Sequence, residues 1–202
     1  MNLPNKITIA RILLVPIMMI IPLVAPYVGL SGTIYGIHIT NIFVLIIFLI
    51  ASLTDYLDGY LARKNNMVTN FGKFLDPIAD KVLVFAALIM LVESNIIPGW
   101  IVTITLAREF MVAAIRMLVA KEGTVIAASM LGKIKTVTQM VAISLALIDT
   151  NPMMSFLNGS LTSFSFILNF LMSIAMILSI IATIWSGIDY FNKSKEVVLK
   201  TK

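Results

Sequence analysis

The chain has 202 residues, 59% of them hydrophobic and 12% charged, with a formal net charge of +5. A soluble domain averages about 25% charged residues, and a core of this size does not use so much apolar sequence, so the composition argues against a water-soluble protein and for the bilayer as solvent. Without cysteine there are no disulfides and no thiolate chemistry, and in so apolar a chain a positive balance reads as membrane orientation, not as a nucleic-acid partner.

Lys6 and Arg11 precede the first apolar run, but no small-residue cleavage site follows, and Pro16 and Pro22 interrupt the run. It therefore reads not as a cleaved signal but as an interfacial amphipathic segment, Met1 to about Arg11, leading into a first span at about 11–29. A bilayer-crossing helix needs about 20 mostly apolar residues. Five further candidates follow at about 39–63, 74–94, 98–120, 132–149 and 162–190. Pro98-Gly99-Trp100 marks one turn, and Asn151-Pro152 with Asn158-Gly159 marks another. No repeat, low-complexity tract or long linker divides the chain. The expected fold is all-α: a polytopic membrane protein of six transmembrane helices with an interfacial N-terminal segment, forming a single domain over 1–202.

Charge placement orients these spans. The loops near 30–38, 94–98 and 150–161 contain no Lys or Arg. Lys6 and Arg11 lie at the start, Arg63, Lys64, Lys73 and Lys81 around the second connection, Lys121, Lys133 and Lys135 around the third, and Lys193 to Lys202 in the tail. This is a positive-inside pattern with both termini cytoplasmic. Arg108 and Arg116 fall within the fourth span and need a separate reason.

Four of the ten acidic residues crowd into TDYLDGYLARKNNMVTNFGKFLDPIADK, residues 54–81. Asp55 and Asp58 are three apart near one end of the second span, and Asp76 and Asp80 are four apart near the start of the third. Residues at these spacings share a helix face, and a short loop makes the two helices antiparallel neighbours, so the four carboxylates can converge. Asp55 lies about 12 Å from the helix end at Arg63, at 1.5 Å per residue. A carboxylate in a span costs about 2.5–3.5 kcal/mol on insertion scales, and four together repel, so the site calls for something positive. Hard oxygen ligands select Mg²⁺, Mn²⁺ or Ca²⁺. Four carboxylates could hold two ions about 3.5–4 Å apart, an arrangement that serves phosphoryl displacement. The plainer alternative is pairing with Arg63, Lys64, Lys73 and Lys81. Gly59 and Ala62 make a small-residue patch beside the acids, and Gly72 precedes Asp76 by four. The patch suits either a flat nucleotide base or close helix packing.

Asp55-x2-Asp58-Gly59-x2-Ala62-Arg63-x8-Gly72-x3-Asp76-x3-Asp80 resembles the full signature of the CDP-alcohol phosphotransferase family, matched at every position. The apolar length and six-span layout fit the family as well. Further stretches resemble its bacterial branch that uses glycerol 3-phosphate: Asn2 to Thr8 with Arg11, TNFGKFLDPIADK at 69–81, AREF at 107–110 with Arg116, and LGKIKT at 131–136.

The resemblance implies Asp55, Asp58 and Asp76 as ligands of Mg²⁺ or Mn²⁺, with Asp55 and Asp76 shared between two ions. Asp80 would be the general base and a ligand of the second ion. Gly59, Ala62, Arg63, Thr69 and Gly72 would line the CDP part of CDP-diacylglycerol, with Asn5 and Thr8 closing that pocket. It further implies a homodimer and an active site facing the cytoplasm of a bacterial cell membrane.

The acceptor would be glycerol 3-phosphate, whose phosphate needs cations of its own. Arg108 and Arg116, eight apart and so roughly on one helix face, and Lys133 and Lys135 are the candidates. The competing readings are a pair between Arg108 and the adjacent Glu109, and lipid headgroup contact for Lys133 and Lys135. The tail lysines read as topology and anionic-lipid contacts, and His38 as a loop residue. The signature alone does not separate glycerol 3-phosphate from an inositol phosphate, serine or second-lipid acceptor. A divalent-cation transporter using the same acids is a rival of another class, but such sites tend to lie near the midplane.

Overall fold

The computed structural model describes residues 3–30, 32–34, 37–64, 69–121, 129–159 and 161–198, with the side chains at 3–4, 55–64, 70–71, 73–74, 121 and 196–198 outside the description. Its helices are α1 (Leu3–Val24), α2 (Ile39–Lys64), α3 (Asn70–Glu93), α4 (Gly99–Lys121), α5 (Met130–Ile148) and α6 (Ser163–Val198). Each overlaps one expected span. The only strands among the described residues are a two-residue pair, β1 (Thr33–Ile34) and β2 (Ile37–His38), antiparallel with Thr33 opposite His38. The chain is thus an all-α protein.

Asn5–Val24, Met130–Ile148 and Ser163–Lys195 are long and apolar enough to cross a membrane, and α2 adds a shorter apolar stretch, Ile39–Thr54. The outer faces agree: Leu13, Ile20, Leu23, Leu53, Phe110 and Met117 are among many large apolar side chains left exposed. This protein is built for lipid contact.

Three boundaries differ from the sequence reading, each for a physical reason. Helix α1 begins at Leu3 and runs unbroken through Arg11, Pro16 and Pro22. Pro4 sits in the first turn, where its missing N–H costs nothing, and the inner prolines each remove only one bond from a long apolar helix. Helix α3 starts at Asn70 because Thr69 caps it, its side chain accepting from the Gly72 amide at 3.0 Å. Helix α6 continues to Val198, past the last apolar turn of its span.

The chain divides into two compact units, 1–96 with 144–152, and 97–143 with 153–202. In the first, α1 packs on both α2 and α3. Met18, Phe48, Ala51, Ala79, Leu83 and Ala87 form its buried centre. Arg11, only 1% exposed, is among the largest fully buried side chains. A cavity of about 250 Å³ in this unit is bordered by His38, Asn41, Ser94 and Thr150, at the ends of α2 and α3 remote from the acids.

In the second unit, α4 packs on α6. Helix α6 buries a stripe of small polar residues: Ser173, Ser179, Thr183, Ser186 and Ser194. Residues of this size let helices approach where lipid gives no hydrophobic drive for association. At the start of α6, the buried Asn169 accepts from the Phe156 amide at 3.0 Å, and Ser173 from the Met154 amide at 2.9 Å. These bonds fasten the 3-10 turn Ser155–Asn158 to α6, with Phe156 set edge-on to Phe166 and Phe170.

Replacing Asn169 with Leu should leave the Phe156 amide without that partner and cost about 1–3 kcal/mol. Denaturant unfolding in micelles should show a correspondingly lower midpoint. An unchanged midpoint would show that the turn is not fastened through this side chain.

Candidate active site

Helix α2 carries Asp55, Asp58, Gly59, Ala62 and Arg63 in its last third, on one continuous helical backbone. The side chains of these five lie outside the described residues. Helix α3 carries Asp76 and Asp80 one turn apart, both half-buried. Between them, Pro77 lacks an amide hydrogen and so frees the Lys73 carbonyl from the helical ladder.

Helix α1 supplies the support. The Thr8 hydroxyl, 1% exposed, donates to Asp76 Oδ1 at 2.8 Å. One turn earlier, the buried Asn5 side chain accepts from the Thr69 hydroxyl at 3.0 Å. Thr69 in turn caps α3 through the Gly72 amide. Gly72 leaves room here, since an added Cβ would lie 2.9 Å from Asn5 Oδ1 and 3.2 Å from Thr69 Oγ1 and one of these side chains would have to shift. Of the residues expected around the nucleotide and metals, Asn5, Thr8, Thr69, Gly72 and Asp76 are therefore brought together at one place, where α1 meets the start of α3.

The donor set suits a hard divalent ion. Carboxylate oxygens suit Mg²⁺ or Mn²⁺, and a hydroxyl bonded to a ligating carboxylate is how such ligands are oriented. Among the described residues no cluster of three or more His, Asp or Glu occurs. Asp55 and Asp58, the other two expected ligands, fall outside that set.

The second unit holds a cationic cluster. Arg108 Nη1 and Lys135 Nζ both donate to Glu109 Oε1, each at 2.7 Å. The three side chains are 10%, 8% and 16% exposed, respectively. Arg108 also donates through Nη2 to Ser186, while its buried Nε has no hydrogen-bond partner among the described residues. Arg116 donates to the Tyr190 hydroxyl at 2.6 Å, and both arginines stand over the Tyr190 ring, at 5.1 Å and 5.7 Å from its centre. Such placement adds cation–π attraction.

The structure thus groups Arg108, Arg116 and Lys135. Lys133 is exposed on the first turn of α5, which Ser129 caps through the Gly132 amide. The expected alternative of an Arg108–Glu109 pair is realised, with Lys135 sharing the same oxygen. Sequence reasoning missed Ser186 and Tyr190 as members of this cluster, and the sharing of Glu109 with Lys135. Glu109 stood inside the quoted AREF stretch, and Tyr190 at the polar end of the last span, but nothing in either spacing names a partner on another helix.

A family model for CDP-alcohol phosphatidyltransferase matches residues 1–185. A CDP-diacylglycerol–glycerol-3-phosphate 3-phosphatidyltransferase of Bacillus subtilis (strain 168) is 48% identical over 202 residues, 99% of this chain and 98% of that protein. Proteins of the same name from Haemophilus influenzae, at 37% over 98% of this chain and 96% of theirs, and Rickettsia felis, at 35% over 96% of each, are also similar.

Thr8→Val keeps the side-chain volume and removes the donor to Asp76. The Mg²⁺ or Mn²⁺ concentration giving half-maximal thermal stabilisation in micelles should rise ~10–100-fold, the usual effect of losing a ligand's outer partner. An unshifted metal titration would show that the hydroxyl does not orient Asp76 for a cation.

Proposed function

The chain belongs to the CDP-alcohol phosphatidyltransferase family, and from that premise we propose that it transfers the phosphatidyl group of CDP-diacylglycerol to glycerol 3-phosphate, releasing CMP. The observation that carries the choice of acceptor is that relatives matching this chain almost end to end bear that activity in their name. The buried Arg108–Glu109–Lys135 cluster supports it chemically, because a phosphorylated acceptor needs cations of its own.

Asp55, Asp58, Asp76 and Asp80 are proposed to hold two Mg²⁺ or Mn²⁺ ions. When bound, those ions would neutralise the diphosphate and the charge developing on the departing phosphate. The rest falls to the side chains. Thr8 fixes Asp76 by donating to it. Asn5, Thr69 and Gly72, with Gly59, Ala62 and Arg63 of α2, line the CDP moiety. Asp80 removes the proton from the free hydroxyl of glycerol 3-phosphate. That oxygen then bonds to the β-phosphorus, the bond from the β-phosphorus to the bridging oxygen breaks, and CMP leaves with its electron pair. Arg108, Arg116, Lys133 and Lys135 hold the acceptor's phosphate. Positioning and electrostatics supply most of catalysis in reactions of this kind.

The proposal includes a single membrane domain with six spans, both termini and the active site on the cytoplasmic side, and a homodimer. The absence of Lys and Arg from 30–38, 94–98 and 150–161 supports that orientation.

Purified protein given CDP-diacylglycerol and Mg²⁺ should release CMP with glycerol 3-phosphate and not with serine, inositol phosphate or phosphatidylglycerol. No CMP release with glycerol 3-phosphate would sink the assignment. Asp80→Asn should lower kcat by at least about 10²-fold, the low end for removing a general base, and full activity in that variant would remove Asp80 from the role.

A further inference from the structure

We infer that Glu109 is a specificity-determining residue of the acceptor site: its carboxylate occupies, on Arg108 and Lys135, the place that the acceptor's phosphate takes over. The inference rests on the reading of these cations as acceptor ligands.

A single oxygen, Glu109 Oε1, receives hydrogen bonds from two different cationic groups at 2.7 Å each. The two come from different helices, α4 and α5. Two charged donors converging on one oxygen form the geometry in which a phosphate oxygen is bound. That point is taken by the protein itself. Glu109 is adjacent to Arg108 in sequence, and side chains at successive helical positions do not face one another. Both side chains must therefore bend to meet, and Lys135 draws Glu109 toward the same point.

The ligand's own charge and oxygen count favour exchange. Among the described residues, Arg108, Arg116 and Lys135 stand against one carboxylate, and the described polar partner of Arg116 is the neutral Tyr190 hydroxyl. An incoming phosphomonoester brings two charges and several acceptor oxygens, enough to displace one carboxylate oxygen. A neutral polyol has no group that competes with Glu109 for these donors, and serine brings a single carboxylate beside its own ammonium. Singly charged anions compete only weakly. The internal carboxylate thus acts as a threshold that a phosphorylated acceptor passes, and it keeps buried cations paired while the site waits.

Glu109→Gln keeps the shape and removes the charge. Full-length Glu109→Gln protein in nanodiscs containing CDP-diacylglycerol should show a KM for glycerol 3-phosphate lowered about fivefold or more, the low end of coupling between two ligands of one site. The inhibition constant of inorganic phosphate should fall at least as far. Glu109→Asp, which keeps the charge, should stay near the unsubstituted protein. A KM that rises or does not move in Glu109→Gln overturns the inference and leaves Glu109 as a support for Arg108.

Arg116→Gln, assayed alongside, separates the two claims. If it raises the KM while Glu109→Gln does not lower it, only the Glu109 inference fails. If it and Lys135→Gln both leave the KM unchanged, the acceptor reading itself falls. Should Glu109→Gln not fold, unsubstituted protein labelled with ¹³C at its glutamate carboxyls gives the answer. The Glu109 signal, assigned through Glu109→Asp, should move on adding glycerol 3-phosphate, and a stationary signal overturns the exchange.

Discussion

An ionised side chain inside an apolar helix costs about 2.5–3.5 kcal/mol on insertion scales, and the arrangement of this protein answers that cost at each place it arises. Asp76 and Asp80 sit only half-buried near the start of α3. Asp76 is met by the Thr8 hydroxyl, from a helix that is otherwise almost wholly apolar. Asn5, one turn before Thr8, is bonded to Thr69, the cap of the same α3. One face of α1 therefore does two jobs: it fixes where α3 begins and it orients a carboxylate one turn further along. Gly72 makes this possible by leaving room for Asn5 where any larger residue would press on it.

The second unit meets the same cost differently. Its buried charges are basic, and the protein supplies its own anion to them. Glu109 bridges Arg108 and Lys135, while Tyr190 and Ser186, both almost fully buried, take the remaining described arginine contacts through hydroxyl groups and an aromatic face. A carboxylate that accepts from two cations is partly compensated for its desolvation, and losing either cation would leave it poorly paired. The chain thus keeps its cations ready without leaving them bare in a low-dielectric setting.

Much of this was legible in the sequence, and the limits follow from chemistry. Apolar runs separated by Pro, Gly and Asn gave all six helices, because in lipid the backbone has few alternatives to a helix. The boundaries moved where a local hydrogen bond decided them, as at Thr69, or where a segment read as interfacial is continuous with the helix that follows it, as over Leu3 to Arg11. The residues proposed to line the nucleotide stood out because a fixed spacing on two helices carries them. That Asn5 reaches Thr69 is a contact across 64 positions, and no periodicity reports such a pairing. The bond from Lys135 to Glu109, across 26 positions, escaped for the same reason. The Arg108–Glu109 pair was open to reading because the two are neighbours in sequence, but that Lys135 on α5 joins them on the same oxygen was not.

The division of labour between the acids and the cations bears on how one fold can serve several acceptors. In the proposed reaction, the carboxylates of α2 and α3 deal with what every CDP-alcohol donor has, a diphosphate and a cytidine. Nothing in their chemistry distinguishes one attacking hydroxyl from another. The acceptor is distinguished by the group next to its hydroxyl, and here that group would be a phosphate dianion. Cations alone would hold any anion of suitable size. A cationic cluster already satisfied by an internal carboxylate asks more, because the ligand must outcompete a partner tethered in place at high effective concentration. Discrimination then arises from the difference between two anions, not from the strength of one contact. On that argument, acceptor choice in this chain rests on Glu109 as much as on the basic residues around it.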